Sequence, residues 1–90
     1  MLIFERNQQT TSLKGEHYPQ LIAREGSVKT DIEEIVCRQL GTEGDDLLWK
    51  CRTHLDEQYT LAEAEVSCEG WSGPGDRMIV PGSCLVEYKI

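Results

Sequence analysis

The sequence predicts an all-β domain, a small β-sandwich or meander crosslinked by two disulfides, and three observations support this. Residues 62–69 alternate between small or apolar residues and acidic or polar ones, which is the period of a strand with one face in water. Glycine and proline interrupt the chain at 70–76 and 81–82, which leaves short apolar runs at 78–80 and 84–88. Four cysteines supply the crosslinks that so thin a core requires.

The length and charge of the chain limit its organisation and its partners. Its 90 residues suffice for a single domain, 1–90, and a hydrophobic share of 39% implies a modest core. Nine basic and 16 acidic side chains give a formal charge of −7, which repels nucleic acid and anionic lipid. The longest mainly apolar stretch, residues 1–4, is too short for a bilayer span or a signal peptide. We therefore expect a soluble chain without targeting or membrane segments, no nucleic-acid partner and no direct membrane insertion.

The cysteine spacing favours disulfides over a metal site. Cys37, Cys51, Cys68 and Cys84 are separated by 14, 17 and 16 positions. A structural zinc site normally presents two ligands only about two to four residues apart, and the sequence has no such pair. An even number of cysteines in a short chain is typical of a disulfide framework. Sequence alone permits three pairings, and four free thiols in a reducing compartment are the alternative.

Alternation that begins at Leu47 predicts a further strand, whereas the residues before it are ambiguous. Residues 30–33 have the form of a helix capping box and precede apolar residues on one helical face. Yet Ile35 and Cys37 also share one strand parity, and the loop 41–46 is short enough to close a hairpin. Two further strands, each a candidate edge strand, are predicted at residues 2–4 and 19–23.

Several short stretches carry a family resemblance. The densest are Val-Ser-Cys-Glu-Gly at 66–70, followed by the aromatic Trp71, and Gly-Ser-Cys at 82–84. The others are Thr-Thr-Ser at 10–12, Pro-Gln-Leu at 19–21, the Cys37 strand with Gly41, the series Trp49, Cys51, Thr53, Leu55 and Asp56 with Tyr59, and Glu87-Tyr88. The sequence thereby resembles the luminal domain of the store-operated calcium entry-associated regulatory factor family. From Ile35 to the C-terminus this alignment needs no gap.

The resemblance implies a β-sandwich-like unit that can self-associate and that acts by protein interaction. In that family the whole protein restrains the refilling of calcium stores by acting on a membrane protein of the stromal interaction molecule type. The resemblance therefore implies the endoplasmic reticulum lumen, such a partner or a homodimer, and a strand at Ile35 and Cys37. Residues 22–29 lack a further cysteine pair that the family tends to carry, so the N-terminal half has diverged.

A second hypothesis gives the same fold a structural role. Without the targeting and membrane parts of that family, the chain is either an excised domain or an accessory subunit of a larger complex. The disulfides would then form in another oxidising compartment, such as the mitochondrial intermembrane space.

Two hairpins predict the cysteine pairing. One is centred in 41–46 and the other near Gly75, so each disulfide joins consecutive strands across one loop. The resulting pairs are Cys37 with Cys51 and Cys68 with Cys84. Pairing Cys51 with Cys68 ranks second, because it requires an off-centre turn near residues 56–59.

The sequence offers no constellation for catalysis. His17 and His54 are the only histidines, and no Gly-x-Ser-x-Gly elbow occurs. Cys84 with His54 would make a thiol–imidazole pair, but a cysteine of an even set in a short chain is usually bridged. We expect no enzyme activity and no cofactor.

A weak calcium site is conceivable at one acidic loop. Glu43, Asp45 and Asp46 cluster beside glycine, and carboxylate oxygens are calcium ligands. The spacing does not match an EF-hand, and such clusters are more often solvated loop tips.

The two tryptophans predict different roles. Trp49 lies on a strand beside Cys51 and is expected in the core. Trp71 lies in a glycine-rich turn, and with the run Met78, Ile79 and Val80 it forms the candidate interface. Trp71 covering one end of the sandwich, and pairing between strand edges of two chains, are the alternatives.

Overall fold

Six strands in two sheets make up the computed structural model of the chain. It describes residues 1–44, 46–73, 76 and 78–90, and at the strand positions 43, 46 and 47 it describes the backbone only. The strands are β1 (Leu2–Glu5), β2 (Leu21–Ala23), β3 (Glu34–Glu43), β4 (Asp46–Arg52), β5 (Glu63–Ser67) and β6 (Leu85–Lys89). Among the described residues there is no helix, so the predicted all-β class is confirmed.

The first sheet has the order β1-β3-β4, and both neighbouring pairs are antiparallel. The hairpin predicted across residues 41–46 is present, and its strands pair from Val36 opposite Arg52 to Glu43 opposite Asp46, with one register shift between Gln39 and Gly41. The helix alternative for residues 30–40 is wrong. Ile35 and Cys37 alternate along β3 and are both fully buried, whereas Leu40 lies at a register shift and is 56% exposed.

The second sheet has the order β2-β6-β5. β5 and β6 are antiparallel, whereas the short β2 runs parallel to β6. The first and second strands of the chain are therefore both edge strands, as predicted. The meander expected of the C-terminal half is interrupted, because β4 lies in the first sheet while β5 and β6 lie in the second.

Both sheets contribute to one hydrophobic core. Its fully buried side chains are Phe4, Ile35 and Cys37 from the first sheet and Val86 from the second. Trp49 is partly buried against this cluster, which agrees with its predicted place in the core. Each sheet therefore packs one face against this core, and the strand ends and connecting loops remain at the surface.

Candidate interaction surface beside the Cys68–Cys84 disulfide

All four cysteines are paired, in the arrangement ranked first from the sequence. Cys37 is bonded to Cys51 and Cys68 to Cys84, which excludes the alternative between Cys51 and Cys68. Cys37 and Cys51 are directly opposite on the antiparallel strands β3 and β4, and the Cα–Cα distance is 4.0 Å in both bonds. The second bond lies one register position beyond the last β5–β6 pair, Ser67 opposite Leu85.

Beyond the second disulfide the chain makes a short antiparallel turn that carries the candidate interface. Gly70 bridges Ile79, and the backbone N–H of Trp71 donates to the Met78 carbonyl oxygen at 2.9 Å. Directly opposite residues present their side chains on the same face. Trp71 is 52% exposed and Met78 is 68% exposed, and we call these two side chains the apolar tip.

The other two residues of the candidate interface lie inward. Val80 is only 5% exposed, so the prediction that it lies on the interface surface is corrected by the structure. Ile79 is partly buried and packs against the core cluster. Ile79 and Val80 therefore attach the apolar tip to the core, and Met78 is the exposed residue of the run 78–80.

The carboxylate of Asp76 organises the turn. It accepts hydrogen bonds from the Ser72 hydroxyl at 2.5 Å, the Ser72 N–H at 3.2 Å and the Met78 N–H at 2.9 Å. These donors, with the Ser72 hydroxyl first, lower the pKa of Asp76 from its ordinary value of 3.8 because each favours the charged form. A Cβ at Gly70 would lie 2.2 Å from the Gly73 carbonyl oxygen, so the same turn requires glycine there.

The loop at residues 10–13 holds the base of this turn. Thr11 donates its backbone N–H to the Gly82 carbonyl oxygen at 2.9 Å and its hydroxyl to the Pro81 carbonyl oxygen at 2.8 Å. Gly82 has a φ of 77°, and a Cβ there would lie 2.7 Å from the Thr11 hydroxyl oxygen. Glycine is thus required both by its left-handed backbone and by the close approach of the loop.

Glu69 completes the contact between the loop and the turn. Its N–H donates to the Ser83 hydroxyl oxygen at 2.9 Å, and its carboxylate accepts the Leu13 N–H at 3.3 Å. The stretches 10–12, 66–70 and 82–84, which carry the family resemblance, therefore meet around one disulfide. Periodicity could not have predicted this meeting, because Thr11 and Pro81 are 70 positions apart.

The histidines do not form a reaction centre. His17 lies with its Nδ1 2.7 Å from the Thr10 carbonyl oxygen, and Thr10 itself is buried and accepts the Tyr18 N–H. Cys84 has no thiol to offer His54, because its sulfur is bonded to Cys68. His17 thus serves to position the loop at residues 10–13.

A cleft of about 230 Å³ opens beside the second disulfide. Cys68, Ser12 and Lys14 are among its lining residues. A larger cleft of about 960 Å³ is lined mainly by polar and charged residues, among them Arg6 and His54. In that cleft Arg6 forms exposed ion pairs with Asp31 and Glu33, so it is a hydrophilic surface feature.

One arginine on the second sheet was not singled out from the sequence. The Arg24 guanidinium lies 3.2 Å from the Glu63 carboxylate, 2.5 Å from Glu65 and 3.6 Å from Glu87. The hydrogen bonds to Glu65 and then Glu63 raise the pKa of Arg24 further above its ordinary value. Arg24 therefore bridges all three strands of the second sheet from the end of β2.

Comparison with known proteins assigns the family. A family model described as SOCE-associated regulatory factor of calcium homoeostasis matches residues 1–90. The chain belongs to this regulatory factor family. The curated store-operated calcium entry-associated regulatory factor of Danio rerio is 33% identical over 93 residues, which cover 100% of this chain and 27% of that protein. The Bos taurus protein is 37% identical over 84 residues, covering 90% of this chain and 25% of that protein, and the Homo sapiens protein is 34% identical over 92 residues, covering 99% and 27%.

The chain thus spans about a quarter of the length of these curated relatives. No described residue belongs to a helix long and apolar enough to cross a membrane. Both disulfides suit an oxidising compartment.

The acidic loop at Glu43, Asp45 and Asp46 lies outside what the structure describes, since Asp45 and the side chains of Glu43 and Asp46 are not included. The weak calcium site proposed there stays a prediction. In the described part of the chain, no group of three acidic, histidine or cysteine side chains is arranged to hold a metal ion.

Proposed function

We propose that this chain is a non-catalytic interaction domain that restrains store-operated calcium entry from the endoplasmic reticulum lumen. Its partner is a membrane protein of the stromal interaction molecule type. Membership of the regulatory factor family supports the process, and the two disulfides support an oxidising compartment.

The observation that carries this proposal is the solvent exposure of the apolar tip, which lies on a turn held by hydrogen bonds. Trp71 and Met78 expose 52% and 68% of their surface although Asp76 accepts hydrogen bonds from Ser72 and Met78, and Thr11 contacts Pro81. An exposed aromatic beside a methionine is typical of a contact that loses its water when a partner binds. Preorganisation of the turn reduces the entropy that such a partner would have to overcome.

The open strand edges support self-association as a second use of the same domain. β4 is an edge strand of the first sheet and β5 an edge strand of the second. Edge strands present unpaired backbone groups that a second copy of the chain can satisfy. A homodimer formed at an edge leaves the apolar tip available for the membrane partner.

A paired substitution at the apolar tip tests the proposal. In the Trp71→Ser/Met78→Ser variant, binding to the luminal domain of the partner weakens at least about tenfold, because aromatic anchors in such contacts typically contribute more than about 1.4 kcal/mol. Leu40→Ser is the matched control, since Leu40 is also 56% exposed but lies on β3, and its affinity stays within about twofold. Affinity is measured by titration of purified proteins, with both disulfides verified by mass.

Two outcomes would contradict the proposal. Equal affinity of wild type and the tip variant would remove the apolar tip from the interface. Co-purification of the native chain with a mitochondrial assembly, without the membrane partner, would favour the accessory-subunit hypothesis instead.

A further inference from the structure

We propose that the outer face of the first sheet, together with the open edge of β4, binds an acidic, extended segment of another protein. We call this surface the cationic face, and its side chains are Ile3, Val36, Arg38, Leu48, Lys50 and Arg52. It belongs to the first sheet, whereas the apolar tip extends from the second, so this inference does not depend on the function proposed for that tip.

The register of the first sheet places these side chains together. Cys37 and Cys51 are directly opposite, and Cys37 is fully buried against the core. Because side chains alternate along a strand, the two pairs that flank this disulfide point away from the core. They are Val36 with Arg52 and Arg38 with Lys50. The three basic side chains of the face are all exposed.

Arg38 and Lys50 form a like-charged pair on this face. Directly opposite residues of an antiparallel pair have Cβ atoms about 5 Å apart, and like charges in that position are unfavourable. Among the described residues, every ion pair involves Arg6 or Arg24, so neither cation of this pair contacts a carboxylate there.

The carboxylates of the first sheet lie towards its two ends. Glu34 is four residues from Arg38 along β3, beside Glu5 on β1. Asp46, of which only the backbone is described, is four residues from Lys50 along β4. Four residues of extended strand span about 13 Å, so the acidic positions flank the like-charged pair at a distance.

The second sheet carries the opposite arrangement with its counter-ion present. Glu65 and Glu87 are directly opposite, and Arg24 contacts both carboxylates. In the part of the chain that the structure describes, the Arg38–Lys50 pair has no such counter-ion, although acidic residues outnumber basic ones by 16 to 9 in the sequence. Complementary charge from a partner would supply it.

Exposed apolar side chains indicate that the partner is a protein segment. Ile3 is 50% exposed and lies opposite Val36, and Leu48 is 40% exposed and lies two residues from Lys50. An inorganic anion would leave this apolar surface in water, whereas a polypeptide covers it. An anionic bilayer fits less well, because it is repelled by the net charge of −7.

The edge of β4 supplies backbone contacts for such a segment. β4 is an edge strand, and within the described residues the backbone at 48–52 bonds only to β3. A strand added beside β4 places every second side chain next to Leu48, Lys50 and Arg52. The segment that fits carries an apolar residue and two acidic residues at alternate positions.

Protection of the edge against pairing does not explain the charges. Lysine on an edge strand often prevents association, but Arg38 lies on the central strand β3. A second copy paired through its own β4 would bring two sets of cations together, which is unfavourable. The acidic strand of a second copy, β5, has Glu63 and Glu65 already in contact with Arg24. A separate acidic chain therefore fits this edge better than a second copy does.

Peptide binding to the whole chain, with both disulfides closed, tests the inference. Two labelled peptides of equal length are compared, one alternating glutamate with valine and the other alternating lysine with valine. Net charge alone predicts binding of the lysine peptide, whereas the cationic face predicts binding of the glutamate peptide. We expect the glutamate peptide to bind in low salt, to weaken as salt is added, and to slow amide exchange at residues 48–52. The lysine peptide leaves exchange at 48–52 unchanged.

Paired substitutions separate the cationic face from net charge. Arg38→Gln/Lys50→Gln weakens binding of the glutamate peptide at least about tenfold. Because the change removes a like-charged pair, the midpoint of urea unfolding stays the same or rises. Lys14→Gln/Lys29→Gln removes equal charge from exposed positions elsewhere, and its affinity stays within about twofold of wild type.

Several results would overturn the inference. They are unchanged peptide affinity in Arg38→Gln/Lys50→Gln, a lower urea midpoint of that variant, slowed exchange only outside the cationic face, and stronger binding to phosphatidylserine vesicles than to the glutamate peptide. Salt-sensitive self-association that the same variant abolishes would assign the face to a second copy instead. The Trp71→Ser/Met78→Ser variant keeps its affinity for the glutamate peptide, and loss of that affinity would contradict a surface separate from the apolar tip.

Discussion

Asp76 shows how one carboxylate determines a local conformation. Its two oxygens accept three hydrogen bonds, from Ser72 and Met78, and so define the turn from which Trp71 projects. Because these bonds favour the charged form, the pKa of Asp76 in the folded chain lies below its ordinary value of 3.8. The stabilisation is therefore complete above that ordinary value and is lost as the pH falls through the lower folded pKa.

Because protonation of Asp76 weakens the hydrogen bonds of the turn, the exposure of Trp71 to a quencher is expected to depend on pH. The test uses a Trp49→Phe background, in which Trp71 is the only tryptophan. Acrylamide quenching of Trp71 fluorescence stays constant between pH 7 and pH 4, and it rises at lower pH as Asp76 takes up a proton. Asp76→Asn keeps an acceptor for Met78 but weakens the Ser72 contacts, so its quenching is raised already at pH 7. Glu57→Gln, an exposed position in another loop, is the control. A quenching profile of Asp76→Asn identical to wild type would contradict the role of this carboxylate.

Arg24 stabilises the second sheet through its contacts with three carboxylates. Glu65 and Glu87 are directly opposite on β5 and β6, an arrangement that is unfavourable for like charges. Arg24 neutralises the pair from the end of β2, a strand of only three residues. The short parallel edge strand thus remains on the sheet with the help of a cation that reaches across all three strands.

Substitution of Arg24 measures this contribution. Arg24→Gln lowers the free energy of unfolding only slightly, since the guanidinium is partly exposed and solvent screens the pairs. The loss shrinks in high salt, because salt screens the repulsion between Glu65 and Glu87. Adding Glu65→Gln to the variant recovers part of the loss. Urea unfolding at low and high salt checks both points, and a loss that is independent of salt would rule out this electrostatic role.

The elements differ in how far the sequence could predict them. The strands at β4 and β5 follow from local alternation, and the hairpin between β3 and β4 follows from a short loop. The choice between helix and strand at Ile35 depended on the family resemblance, because the capping pattern at 30–33 is local whereas burial of Ile35 is tertiary. The parallel pairing of β2 to β6 has no local signature, since three residues carry too little periodicity.

The surface was predicted less completely than the fold. Trp71 and Met78 were identified because an apolar residue in a glycine-rich turn stands out in a polar sequence. Val80 was placed on that surface wrongly, since adjacency in sequence does not reveal which residue of a run enters the core. The contacts of Thr11 with residues 81 and 82 join distant parts of the chain, and only the folded backbone brings them together.

At the scale of the whole molecule, the two disulfides compensate for a thin core. Each closes a loop of about 15 residues, which contributes about 3 kcal/mol in the loop-entropy model. For a domain whose total stability is of the order of 5 to 15 kcal/mol, one bond can open without unfolding the chain, whereas loss of both removes much of its stability.

The most direct test of the central claim, that the end of the molecule beside Cys68–Cys84 is a protein-binding surface, is a hydrogen-exchange footprint. The chain, with both disulfides closed, is compared with and without the luminal domain of the proposed partner, a membrane protein of the stromal interaction molecule type. Slower exchange at residues 69–73 and 78–83, with unchanged exchange in β1 and β3, is the predicted result. Protection confined to the first sheet, or no protection beside Cys68–Cys84, would contradict it.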